Sequence, residues 1–190
     1  SVGYKRQADG MATFDVAKFE DHRSGTVRDV LKIFEVLKEV VGPEIIGATH
    51  GWGADEGVAG SASLALLEGI MSRNRSGKLR GRWKHQGASG DETGRVGDVD
   101  FFVCRNKGGT RAKFRAYVAR AISKIVKLVA KEGRTVTVDE EMEHPYLQGG
   151  PILIQNIWIS GVNVKLSFVQ APGCRHMMDV VDQFDIDVVK

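Results

Sequence analysis

The chain has 190 residues, 42% of them hydrophobic and 27% charged, with a formal net charge of +3. That length buries a substantial core and suits one domain with room for a small second lobe, and the composition excludes a disordered or fibrous protein. Two cysteines, Cys104 and Cys174, exclude a disulfide framework, and no apolar run reaches the length of a membrane span, so no membrane association is expected.

In chain order, TVRDVLKIFEVLKEVVG from Thr26 places Val27, Val30, Leu31, Phe34, Leu37 and Val40/Val41 at helical spacing, with Gly42-Pro43 as its stop. EIIGA reads as a short strand. THGWGADEG offers His50, Trp52, Asp55 and Glu56 to a nucleotide pocket but reads first as a glycine-rich surface loop, and VAGSASLALLEGIM is a small-residue turn followed by a helix. Residues 72–95 are rich in Gly, Ser and Arg without an apolar period and read as a long loop. GRVGDVDFFVCR contains a strand, NKGGT a loop, and RAKFRAYVARAISKIVKLVAK the clearest amphipathic helix, with Phe114, Tyr117/Val118, Ala121/Ile122, Ile125 and Leu128/Val129 on one stripe. TVTV, PILIQNIWI and VNVKLSFV follow as strands. A short helix is expected around Met177 to Val181, and then a last strand at FDIDVVK. The consequence is an α+β (α/β-like) domain, a small mixed sheet flanked by helices. Starting without Met and stopping in an expected strand, the sequence reads as a processed product or an excised domain. The compartment implied by the free thiols is intracellular and reducing, cytoplasmic by default, with an organelle after processing as the alternative.

Charge is segregated. Arg73, Arg75, Lys78, Arg80, Arg82, Lys84 and Arg95 face only Asp91 and Glu92 between residues 72 and 96. From Arg105 to Lys131 there are bases and no acid, among them Lys113, Arg120 and Lys124. After Asp139 the sign reverses, through Glu140, Glu141 and Glu143 to Asp185 and Asp187. A positive surface of this kind suits phosphates, RNA or another polyanion. Trp83 among Arg80, Arg82 and Lys84 suits stacking on nucleic-acid bases. The expectation is that segment 72–95 and the basic helix flank one surface near Gly60 and Asp98.

Inside GRVGDVDFFVCR, two carboxylates interrupt an apolar strand. Side chains alternate along a strand, so Asp98 and Asp100 leave the same face about 6.6 Å apart, while Val99 and Phe101 enter the core. An ionised carboxylate is costly to bury alone. Two of them aimed at one point suit a hard divalent cation such as Mg²⁺, which takes one or two carboxylates plus substrate phosphates. Upstream, Gly60-Ser61 opens a helix, where free N–H groups and the positive dipole end favour a phosphate.

With these residues in place, the sequence resembles the polymerase-beta-like nucleotidyltransferase superfamily. Its signature is a hydrophobic-Gly-Gly/Ser turn, a helix, and a strand of the form hydrophobic-Asp-hydrophobic-Asp/Glu-hydrophobic; VAGSASLALL and GDVDFFV fill those places. It looks like a branch often joined to ankyrin-type repeats that adds a late Phe-Asp-hydrophobic-Asp strand, matched by QFDIDVVK. The resemblance implies a nucleotidyltransferase fold over residues 45–190, preceded by an N-terminal extension and helix over 1–44 and interrupted by a basic insertion at 72–95. It further implies transfer of a nucleoside monophosphate from a nucleoside triphosphate to an acceptor hydroxyl with two Mg²⁺ ions. Gly60 and Ser61 would hold the triphosphate, and Asp98 and Asp100 the metal. The family's third carboxylate belongs on a later strand, where VNVKLSFV carries Asn163, Lys165 and Ser167; Asp185 and Asp187 are the substitutes. The alternative is an inactive domain of this fold that binds RNA or serves as a subunit of a larger assembly.

The remaining chemistry-bearing residues carry less. His144 and His176 have no metal-ligand spacing with either cysteine, Cys174 has no base near it in sequence, and Trp158 is expected in the core.

Overall fold

The computed structural model describes residues 27–42, 54–60, 62, 98–147 and 150–183. The 3.6-residue apolar period of the first segment forms α1 (Val27–Val41), which turns its stripe of Val30, Ile33, Phe34, Leu37 and Val40 into the core. Gly42 ends it in a left-handed conformation (φ 124°), its N–H donating to the Lys38 carbonyl at 3.0 Å, the conformation in which glycine avoids a Cβ penalty.

Strand β1 (Glu56–Ala59) follows, then β2 (Asp98–Cys104), a single turn α2 (Arg105–Gly108), and α3 (Arg111–Ala130). The Thr110 hydroxyl accepts the Lys113 N–H and caps α3. Strands β3 (Val136–Val138), β4 (Met142–Leu147), β5 (Gly150–Ile159) and β6 (Lys165–Ala171) precede the short α4 (Met177–Asp182). At the start of α4, Asp179 Oδ2 accepts the N–H groups of Arg175 (2.6 Å) and His176 (3.2 Å). These bonds to the charged form hold the Asp179 carboxyl below the usual carboxylate range.

The described strands make one mixed sheet in the order β1-β2-β6-β5-β3, with β4 also on β5. β2 and β6 are parallel; every other pairing is antiparallel. The α+β architecture follows. β1 replaces an expected loop, being four residues with one β-branched side chain, too short for a readable period; β4, which carries Pro145, falls in a stretch for which the sequence predicted no element. The β4–β5 register shifts between His144 and Leu147, the kind of irregularity at which a strand tolerates proline.

Alternation divides the sheet into two faces. Val99, Phe101, Val103, Leu153, Ile157, Leu166 and Phe168 meet α1 and the Phe114–Val118–Ala121–Ile125–Val129 stripe of α3 in the main core. Phe101 sits between the Tyr117 ring, stacked at 6.4 Å, and the Phe168 ring, edge-on at 5.7 Å. The opposite face, through Ala59, Phe102, Cys104, Ile152, Val169 and Ala171, packs on Cys174, Met177 and Val180. Helix α1, which lies before the expected boundary at residue 45, contributes to the same core as the sheet.

Candidate metal and nucleotide site

β2 presents its residues in strict alternation near its start: Val99 and Phe101 are buried in the main core, while Asp98 and Asp100 leave by the other face and are partly accessible. The parallel register sets Asp98 beside Lys165 and Asp100 beside Ser167; the next strand adds Asn156 opposite Ser167. Asp98 is open to solvent, its side chain 40% exposed, with Lys165 Nζ 3.6 Å from its Oδ2. Asp100 is deeper. Burial pushes its carboxyl up from the usual 3.8 to about 7, the Asp98 charge adds to this, and Lys165 opposes it. Beyond it Ser167 and Asn156 are buried, and Asn156 Oδ1 has no hydrogen-bond partner among the described residues.

Gly60 completes this corner. β1 pairs with β2 so that Ala59 lies opposite Asp100, and the chain then turns at Gly60 with φ 87°. A Cβ at Gly60 would sit 3.7 Å from Asp100 Oδ2, so the turn passes in van der Waals range of the carboxylate. Gly60, Asp98 and Asp100 are thereby brought to one end of β2. Ser61, Asp185 and Asp187 lie outside the described residues. β6 supplies Lys165 and Ser167 at the positions adjoining the two aspartates, and no carboxylate. Among the described residues, no group of three or more His, Cys, Asp or Glu side chains is arranged to hold a metal.

The expected basic track is divided differently. Lys113, Arg120 and Lys124 belong to α3, which covers the Val99–Phe101–Val103 face, opposite to the one bearing Asp98 and Asp100. They therefore do not converge with the aspartates. The reason lies in the docking: the apolar stripe of α3 must seat on the face that β2 fills with Val99 and Phe101, and this carries the lysines to that side. Arg80, Arg82, Trp83 and Lys84 lie outside the described residues. Arg111 and Arg115 of the same helix pair with Glu143 and Glu141, the latter at 2.7 Å, so part of the acidic block neutralises part of the basic one.

Trp158 is half-buried and not part of either core; its indole N–H donates to Asp139 Oδ2 at 3.1 Å. The cysteines are both buried and free, and burial first, then the neighbouring Cys174, pushes the Cys104 thiol up to about 12, which leaves no thiolate for nucleophilic work. Two polar residues escaped the sequence reading. Glu56, assigned to a surface loop, is 6% exposed and ion-paired with Lys107 at 2.6 Å. Tyr117, counted only within the apolar stripe, faces it. The available signal was the spacing Lys113-Tyr117-Arg120-Lys124, which places all four on one side of a helix. No helix among the described residues is long and apolar enough to cross a membrane. Set against known protein families, curated proteins and solved structures, the chain matches none.

Proposed function

We propose that the chain is a nucleotidyltransferase-type domain that transfers a nucleoside monophosphate from a nucleoside triphosphate to an acceptor hydroxyl. The observation that supports this reading is the meeting of the Gly60 turn with the Asp98/Asp100 strand, 3.7 Å from a Cβ position at Gly60 to Asp100 Oδ2. Two oxygen-only ligands on a rigid strand fit Mg²⁺, with Asp98 and Asp100 as its protein ligands. A second ion needs a further carboxylate, for which Asp185 and Asp187 are the candidates in the sequence. Bound Mg²⁺ would neutralise charge on the reacting phosphates. The residues' own part is to orient: the backbone after Gly60, with Ser61, would receive the triphosphate, and the aspartates would hold the cation against which its α-phosphate is set. The acceptor hydroxyl oxygen forms a bond to the α-phosphorus and gives up its proton to solvent, the bond to pyrophosphate breaks, and pyrophosphate leaves with the electron pair.

A second reading has its own observation. Lys165 Nζ lies 3.6 Å from Asp98 Oδ2, so an internal cation already sits at the pair. In that reading the domain keeps the fold without the reaction and serves as a subunit of a larger assembly. One experiment separates the two. The purified chain is incubated with Mg²⁺, labelled nucleoside triphosphates and RNA or protein acceptors, beside Asp98→Asn and Asp100→Asn. Transfer by the wild type that both substitutions abolish supports catalysis; equal background in all three replaces it by the second reading.

A further inference from the structure

On the α3 side of the sheet lies a pocket of about 550 Å³, within the size range of sites for small organic ligands. The C-terminal end of α1, the start of β1, α2 and α3 enclose it. Its α3 wall is the stripe Lys113, Tyr117, Arg120 and Lys124, positions that recur on one side of a helix, and Ala116 and Ala121 between them leave the space open.

Four cations, the three on α3 plus Lys107, face this pocket against one carboxylate, Glu56. Lys107 is spent on Glu56 Oε1 at 2.6 Å, and Lys124 Nζ donates to the Val40 carbonyl at the end of α1 at 3.2 Å, a neutral partner. Lys113 and Arg120 have no ion pair among the described residues. A cluster of cations alone would be a solvated helix face. Here a second observation stands behind it: Glu56 is 6% exposed, lines the pocket, and its Oε2 has no hydrogen-bond partner among the described residues. The Tyr117 hydroxyl is also buried and faces the Glu56 carboxylate, with no well-formed hydrogen bond among the described residues. Burial, then Glu56, pushes the phenol up, so it stays a neutral donor and acceptor. A buried acceptor without a partner is costly, and a ligand's donor would recover that cost.

The pocket thus has a cationic rim and an inner end that asks for an O–H or N–H donor. It lies on the opposite face from Asp98 and Asp100, and at the other end of β2, because Glu56 pairs with Val103. We propose that it is a binding site for a small hydroxyl-bearing polyphosphate, with phosphates on Lys113, Arg120 and Lys124 and a hydroxyl on Glu56 and Tyr117. This holds whether or not Asp98 and Asp100 support nucleotide transfer. A nucleotide and a phosphorylated inositol share that chemistry.

The test is calorimetric titration of the Asp98→Asn/Asp100→Asn chain, in EDTA, with ATP and separately with inositol trisphosphate, so that binding at the aspartates does not contribute. Saturable one-to-one binding of at least one of them is expected. Lys113→Ala/Arg120→Ala should weaken it by about tenfold or more, as loss of charge-assisted hydrogen bonds to phosphate does. Whichever of the two binds more tightly is the source of the chemistry. Tripolyphosphate, which has no carbon-borne hydroxyl, should bind more weakly, and Tyr117→Phe should narrow the difference. Tyr117→Phe preserves ring packing and so reads the inner end even where Glu56→Gln fails to fold. Three results overturn the proposal: no saturation by either ligand at millimolar concentration, equal affinity for tripolyphosphate, or indifference to Lys113→Ala/Arg120→Ala.

Discussion

Asp98 and Lys165 stand side by side on the two parallel strands at the centre of the sheet, Oδ2 to Nζ 3.6 Å, where a three-carboxylate metal site would want its third acid. Both side chains are partly exposed, so the pair contributes at most about 1 kcal/mol to stability. Its consequence is electrostatic. Lys165→Glu should leave the melting temperature within a few degrees and raise Mg²⁺ affinity roughly tenfold, since hard-cation sites tighten with ligand charge. Calorimetric titration with Mg²⁺ reads this directly; unchanged or weaker binding would remove the metal from Asp98.

Asp100 gives a pH signature. Its carboxyl is raised from 3.8 to about 7 in the fold, chiefly by burial. The folded state therefore keeps a proton that the unfolded chain releases, and stability from this group is full below 3.8 and lost as pH rises through about 7. Asp100→Asn, in EDTA, should match wild type near pH 4 and become progressively more stable than it up to about pH 7, then stay ahead by a constant margin. Solvent at this half-buried position keeps that margin to a few kcal/mol at most. Chemical denaturation at a series of pH values measures it; a difference independent of pH would return Asp100 to an ordinary carboxylate.

At Gly60 the predicted damage is conformational, not steric. The added methyl of Gly60→Ala meets only Asp100 Oδ2 at ordinary contact distance, but φ 87° is unfavourable for any L-residue. The expected loss is about 1–2 kcal/mol, together with weaker nucleotide binding. Denaturation and nucleotide titration on the same preparation check both.

Phe101→Ala removes a fully buried ring held between Tyr117 and Phe168 and should cost about 3–5 kcal/mol. Because Tyr117 stacks on that ring, the substitution should also loosen the wall beside Glu56. Equilibrium unfolding gives the first number.

The two thiols should be silent in the native protein. Both are buried, and Cys104 is pushed up to about 12. At pH 8 an aromatic disulfide reagent should label neither until the chain is unfolded, whereupon both react. Rapid labelling of folded protein would show that the α4 face opens readily.

What was legible in the sequence followed from periodicity. Helices α1 and α3 announced themselves by apolar spacing, and alternation alone put Asp98 and Asp100 on one face with Val99 and Phe101 on the other. Short elements were not legible: the four residues of β1 contain too little pattern, and β4, MEHPYL, has no clean apolar alternation. Long-range pairings were not legible either. Whether Glu56 is buried depends on Lys107, and whether Lys113 reaches the aspartates depends on which face of the sheet α3 covers. A one-dimensional pattern states that a helix has an apolar side; it does not state which apolar surface receives it.

The parallel β2–β6 pair also has a kinetic consequence. β5 and β6 are joined by a short connection and can zip locally, whereas β2 reaches β6 only after α2, α3, β3, β4 and β5 have been gathered between them. Closing that loop spends chain entropy before its contacts form. We expect the corner holding Asp98 and Asp100 to be assembled after the rate-limiting barrier. In stopped-flow measurements, Val99→Ala should then accelerate unfolding and barely change refolding, while Ile157→Ala in β5 should slow refolding. The opposite assignment would mean that the strand bearing the aspartates belongs to the nucleus, and that the chain organises itself around its candidate site from the start.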